Sequence, residues 1–339
     1  PPYFIMFEKL SLRIPYPPPQ EGFWGQPTST LNWCEEDYVI SHYAAEITNT
    51  LTNLLFMALG VQGVRTCLKY EHDMVFVIAY LGYLLVGCGS FAFHATLSYP
   101  MQLVDELSMI YTTSILCYAI FTHDRSRLFS ILLGIGLVVL SISITAYYHY
   151  IQDPSFHQNA FTILFLATVF RSLYTMEAIL RPTLSDKYAN NSRRTSLSDK
   201  EALYSSIRID QAIIREMRWI VAMGFITCAA GIAAWTLDNL RCGDFVQWRH
   251  RVGLPWGILL EGHGWWHLMT GLGVNYFITW GIWLRHCLNG LQEQYILHWP
   301  HKLFSLPVVV PSPEHARYLK LQHVENDALG GTGLEKKQL

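Results

Sequence analysis

The chain has 339 residues, of which 51% are hydrophobic and only 15% are Asp, Glu, Lys or Arg, against about 25% charged in an ordinary soluble domain. A mean hydropathy of +0.20 excludes a disordered chain, and a net charge of -2 leaves no basic excess to attract nucleic acid. A membrane protein is the leading class. The seven cysteines are too scattered for a disulfide framework, no CxxC pair marks a sulfur-rich zinc site, and no cleavable signal peptide is read from a chain that opens on Pro1.

A bilayer core takes about 20 mostly apolar residues per helix. After an amino-terminal segment, 1–41, seven windows of that kind follow at 43–64, 74–97, 101–122, 128–148, 156–180, 219–237 and 260–284. The second and fourth hold no charged residue. The third carries Asp105 and Glu106, the fifth Arg171 and Glu177, and the seventh His263 and His267, and ionisable groups inside a membrane are costly and usually functional. The expected fold is an all-α, seven-helix transmembrane bundle over 42–286. Residues 181–217 are read as a long cytosolic loop, mostly mobile and polar, and 287–339 as a cytosolic tail.

Orientation follows from the basic residues. Eighteen Lys and Arg fall in the first, third and fifth connections and the tail, against five before the first span and between the sixth and seventh. The amino terminus is therefore expected to be lumenal and the carboxyl terminus cytosolic. On that topology Cys34 and Cys242 are the two cysteines both lumenal and outside the spans, so they are expected to pair. The tail ends with Lys336 and Lys337 ahead of Gln338-Leu339, which resembles a dilysine address read by a retrieval coat of the endoplasmic reticulum. The loop also carries Arg193-Arg194-Thr195-Ser196, a basophilic kinase pattern of low specificity, and the sequon Asn190-Asn191-Ser192, which a cytosolic loop leaves unglycosylated.

The chemistry gathers at one depth. His263 and His267 are spaced i and i+4 and project from one helical face. The pattern is not HExxH, since Gly264 stands where the catalytic Glu would be, and alone it suits a packed histidine pair as well as a metal. His94, near the lumenal end of the second window, brings a third imidazole to the same depth, and three imidazoles with an open fourth position suit a catalytic zinc. Asp105 enters from the same side as a partner for a reacting water. Ser90, one turn before His94, suits either an oxyanion donor or a hydroxyl bonded to its own backbone. Asn32-Trp33-Cys34-Glu35-Glu36-Asp37, with Glu46 following, offers oxygen ligands for calcium or, equally, an acidic loop that caps the first helix.

These residues resemble the alkaline ceramidases, seven-span hydrolases of the endoplasmic reticulum and Golgi membranes. The resemblance covers about 22–285 and rests on Gly22-Phe23-Trp24-Gly25, Ser29-Thr30, Asn32-Trp33-Cys34-Glu35-Glu36, Gly89-Ser90, His94, Asp105, His263 and His267. It implies zinc on His94, His263 and His267, Asp105 acting on the zinc water, and Ser90 assisting at the carbonyl. It implies calcium on Asn32, the Trp33 carbonyl, Glu35, Asp37 and Glu46. The family more often has Asp where this chain has Asn32 and Asn where it has Asp37, an exchange that conserves the charge of the site. The activity implied is hydrolysis of the ceramide amide to a sphingoid base and a fatty acid. Two alternatives are a zinc receptor of the adiponectin-receptor type, which resembles the opposite orientation, and a metal transporter, which would place polar groups at several depths.

Overall fold

The computed structural model describes residues 13–184, 197–302, 304–318 and 321, without the side chains of 197–209. Asn190-Asn191-Ser192, the kinase pattern at 193–196 and the lysines at 336 and 337 lie outside the described residues. Among the described residues six helices are long and apolar enough to cross a membrane. They are α1 (Ile47–Lys69), α2 (Met74–Thr96), α3 (Tyr99–Phe121), α4 (Arg127–Ile151), α5 (Pro154–Leu184) and the Asp210–Leu240 part of α6, which as a whole runs Leu197–Leu240.

The turns between them follow from their residues. Asn53 interrupts α1, its side-chain amide rather than its backbone N–H reaching the Asn49 carbonyl at 2.9 Å. Leu97 closes α2 in the left-handed region at φ 46°, and Pro100 falls in the first turn of α3, where its missing N–H has no helical partner to lose. Ser126 caps α4 by accepting from the Phe129 N–H at 3.2 Å, and Asp153 caps α5 by accepting from Ser155 at 2.9 Å.

Three expectations are corrected. The stretch read as a loop to residue 217 is helical from Leu197 onward, because α6 continues its packed helix beyond the apolar window and Arg218 donates twice, at 2.7 Å, to Glu177 of α5. The connection after α6 contains a further helix, α7 (Cys242–Val252). The tail adds a two-stranded antiparallel hairpin, β1 (Tyr295–His298) with β2 (Val308–Pro311), to an otherwise helical chain.

The last long helix, α8 (Gly262–Leu288), has 27 residues but is not among the six. Its His263, His267, Asn275 and His286 are all buried, and they dilute its apolar character. It packs along α6 and against α1 and α2, while α3 bridges α2 and α5. By contrast only 6% of the apolar window of α4 is buried, so that helix rides on the outside of α3 and α5. Among the described residues the main core cluster is built on Tyr83, Met217, Ile278, Trp280 and Leu284, and a smaller one joins Tyr38, Ala45, Phe93 and Leu97.

Candidate metal centre and catalytic site

The turn between α2 and α3 and the start of α8 meet beneath the amino-terminal segment. Gly89 eases the first contact: a Cβ there would stand 3.0 Å from the Asp105 backbone nitrogen, a crowded approach of α3 to α2 that glycine relieves. Asp238 of α6 fixes the start of α8, accepting from the Gly262 N–H at 3.3 Å, where a carboxylate is favourable against the helix dipole. Gly262 is needed for that approach, since a Cβ would stand 2.6 Å from the Cβ of Asp238.

This packing brings His94, His263 and His267 together. All three are buried, and one nitrogen from each lies within 4.8 Å of the others. The remaining nitrogens show which face inward. His94 Nδ1 is bound to the Glu46 carboxylate, leaving Nε2 free. His267 Nδ1 lies 3.0 Å from the Thr52 hydroxyl, which itself donates to the Thr48 carbonyl at 2.9 Å. His267 is therefore the donor in that contact, and its Nε2 too is a bare acceptor. His263 Nδ1 is buried without a partner. Rings oriented by a carboxylate and a hydroxyl, with acceptor nitrogens converging, fit a zinc ion. Among the described residues they form the one group of three or more His, Cys, Asp or Glu side chains suited to a metal.

Ser90 is buried and Asp105 half-buried beside the cluster, the serine hydroxyl on the side of the carboxyl. They line, with the three histidines, an apolar cavity of about 620 Å³ that runs to Arg285 near the far end of α8. His267 and Arg285 are 18 residues apart, about 27 Å at 1.5 Å per residue.

The acidic amino-terminal residues fold over this site. Glu35 accepts the Thr48 and Asn49 N–H groups at 2.7 and 2.8 Å, and burial still pushes it up to about 7. Glu46 accepts the Trp33 N–H at 3.1 Å and meets His94, so a single carboxyl joins the segment to the histidine cluster. Trp33 lies against His263, ring centroids 4.4 Å apart. Asn32 donates to Asp37 at 3.0 Å, a bond that Asp and Asn in exchanged positions would keep. Asp37 Oδ1 is buried without a donor, an orphaned acceptor that fits a hard cation. The carboxylates of Glu35, Asp37 and Glu46 do not themselves form a second convergent group.

Cys34 and Cys242 form a disulfide, Cα atoms 5.4 Å apart. Beside it stand residues to which sequence reasoning gave no role. Arg249, fully buried, pairs with Glu261 and donates to the Cys34 carbonyl at 2.7 Å. Arg249 counts in the sequence only as one lumenal charge, and nothing in its spacing marks it as buried. Thr52 and Asp238 went unread for the same reason.

The family model for ceramidases matches residues 25–310. The chain is 33% identical over 298 residues to alkaline ceramidase YPC1 of Saccharomyces cerevisiae, covering 84% of this chain and 85% of that one. It is 29% identical over 270 residues to alkaline ceramidase 3 of Mus musculus, covering 78% and 87%, and 25% identical over 255 residues to alkaline ceramidase 1 of Homo sapiens, covering 74% and 80%. With its histidine cluster, Ser90 and Asp105 all inside the matched region, the chain belongs to the ceramidase family.

Proposed function

We propose that this chain hydrolyses the amide of ceramide to a sphingoid base and a free fatty acid, acting within the membrane. The observation that carries the reading is the meeting of three buried imidazoles with Ser90 and Asp105 on the wall of one long apolar cavity. Two lipid chains need such a cavity, and an amide needs such a wall. The family match supports hydrolysis over a receptor or a metal transporter.

His94, His263 and His267 hold the zinc, which when bound supplies Lewis acidity toward a carbonyl and a water. Asp105 takes the proton of the attacking water and returns it to the leaving nitrogen. Ser90 steadies that carboxyl in the resting site and donates to the carbonyl oxygen as it gains charge. Glu46 and Thr52 keep His94 and His267 in the tautomer that offers Nε2.

Calcium at Asn32, the Trp33 carbonyl, Glu35, Asp37 and Glu46 neutralises the buried carboxyls and holds the segment on the bundle. The orphaned Asp37 oxygen and the elevated Glu35 support this. The helix α8 is a seventh span, its polar residues covered by its neighbours. The eighteen-to-five division of basic residues supports a lumenal amino terminus, and with Lys336 and Lys337 it supports residence in the endoplasmic reticulum, with the Golgi as a second station.

The test is purified, detergent-solubilised protein given ceramide with and without a strong zinc chelator. Release of fatty acid that the chelator abolishes and added zinc restores is expected. Zinc-free protein that still cleaves at the full rate would overturn the mechanism.

A further inference from the structure

Glu106, the neighbour of Asp105, takes no part in the chemistry above, yet it is buried in α3 and lines the same cavity. Its Oε2 accepts from Gln102 Nε2 at 3.1 Å and from the Tyr148 hydroxyl, so one half of the carboxyl is satisfied. Gln102 in turn accepts from the Thr30 N–H at 2.8 Å, which fixes the network to the amino-terminal segment.

His157, in the first turn of α5, completes the arrangement from the other side. It is 3% exposed, and its Nε2 lies 2.7 Å from the Glu106 backbone carbonyl. A carbonyl only accepts, so Nε2 carries a hydrogen. Nδ1 is left buried with no hydrogen-bond partner, and it faces Glu106 Oε1 across 3.7 Å, beyond hydrogen-bonding distance.

That gap has a definite shape. The two atoms stand side by side, and one oxygen set beside the pair on the cavity side, about 2.8 Å from each, would bond both. When Glu106 Oε1 and His157 Nδ1 hold one proton between them, in either placement, the gap presents one donor and one acceptor, which is what a hydroxyl needs. Both residues face the cavity, so the hydroxyl arrives with the lipid. Asp105 lines the same cavity, and both hydroxyls of a sphingoid base lie within a few bonds of its amide.

We propose that Glu106 and His157 form a subsite for a hydroxyl of the sphingoid base, and so set which N-acyl lipids are cleaved. The inference rests on the ceramidase reading above. It makes Glu106 and His157 specificity residues that touch substrate, with Gln102 and Tyr148 as positioning residues behind them.

The experiment compares kcat/KM for ceramide with that for analogues of equal chain length lacking the 1-hydroxyl or the 3-hydroxyl, in the parent and in His157→Phe and Glu106→Gln. The parent is expected to disfavour one analogue by about 10-fold or more, the effect of a lost buried hydrogen bond. In His157→Phe that ratio should fall to near one, the loss appearing mainly in KM for the hydroxylated lipid. In Glu106→Gln the amide still bonds Tyr148 and its N–H still donates beside His157 Nδ1, so the preference should survive; should His157→Phe fail to fold, His157→Leu carries the same test. A parent indifferent to both hydroxyls overturns the subsite. So do variants that slow all three lipids alike, the mark of a merely structural network or a bound water. A parent that cleaves none of them overturns the ceramidase reading itself, and the subsite with it.

Discussion

Helices α4 and α8 are nearly equal in length, 25 and 27 residues, and opposite in composition. The window of α4 has a mean hydropathy of 2.5 with little of it buried, and Leu128, Ile131, Leu132, Ile135, Val138 and Ile142 all point outward. That is the surface expected of a helix that faces lipid. On α8 Gly264, Gly271, Gly273, the histidines and Asn275 are buried instead, because the surrounding helices, not lipid, are their solvent. Hydropathy therefore reports how much of a helix faces outward. The helix that carries His263 and His267 is the long one it leaves out.

If that contrast is right, injuries to α8 should be far more severe than matched injuries to α4. The largest effect is expected at the cluster. His267→Ala should lose both bound zinc and ceramide turnover, while Asp105→Asn on α3 should keep the metal and lose about 10²- to 10⁴-fold in turnover; metal analysis beside a rate measurement separates the two. A matched pair of isoleucines gives the next test. Ile278 of α8 is 1% exposed and Ile135 of α4 is 57% exposed. Truncating the first to alanine should destabilise by about 2–5 kcal/mol and the second by about 0.5 kcal/mol or less, read from thermal unfolding in detergent. Equal shifts would break the comparison. The smallest effect is expected at the segment that roofs the site, where Glu46→Gln should lower activity and remove its dependence on calcium while His94 stays in place. A calcium titration of turnover reads this, and an unchanged curve would reduce Glu35, Asp37 and Glu46 to an acidic cap on α1.

The sequence carried the helices well, because 20-residue apolar runs are a strong signal, and it placed the HxxxH pair and His94 at one depth before any coordinates. Its errors have a common cause. Leu197 to Glu216 is polar, so it reads as loop, yet it is helix, because its continuation is anchored by tertiary pairing such as Arg218 with Glu177. Arg249 and Glu261 look like surface charges and are buried against each other. Glu46 was legible as an oxygen ligand, but its bond to His94 depends on a fold that sets α1 beside α2. Periodicity carries information about one helix at a time. Partners 48 residues apart, as here, or 215 apart, as for Thr52 and His267, leave no mark in it.

The disulfide has a consequence for biogenesis. Cys34 and Cys242 are separated by 208 residues, and the histidines that complete the cluster come later still, at 263 and 267. During synthesis the amino-terminal segment must wait, with its carboxylates and a reduced cysteine, through the insertion of every earlier helix. A chain arrested before α8 holds one imidazole of the three. The histidine cluster is therefore completed late and in one step, only after Cys242 and every earlier helix have been made.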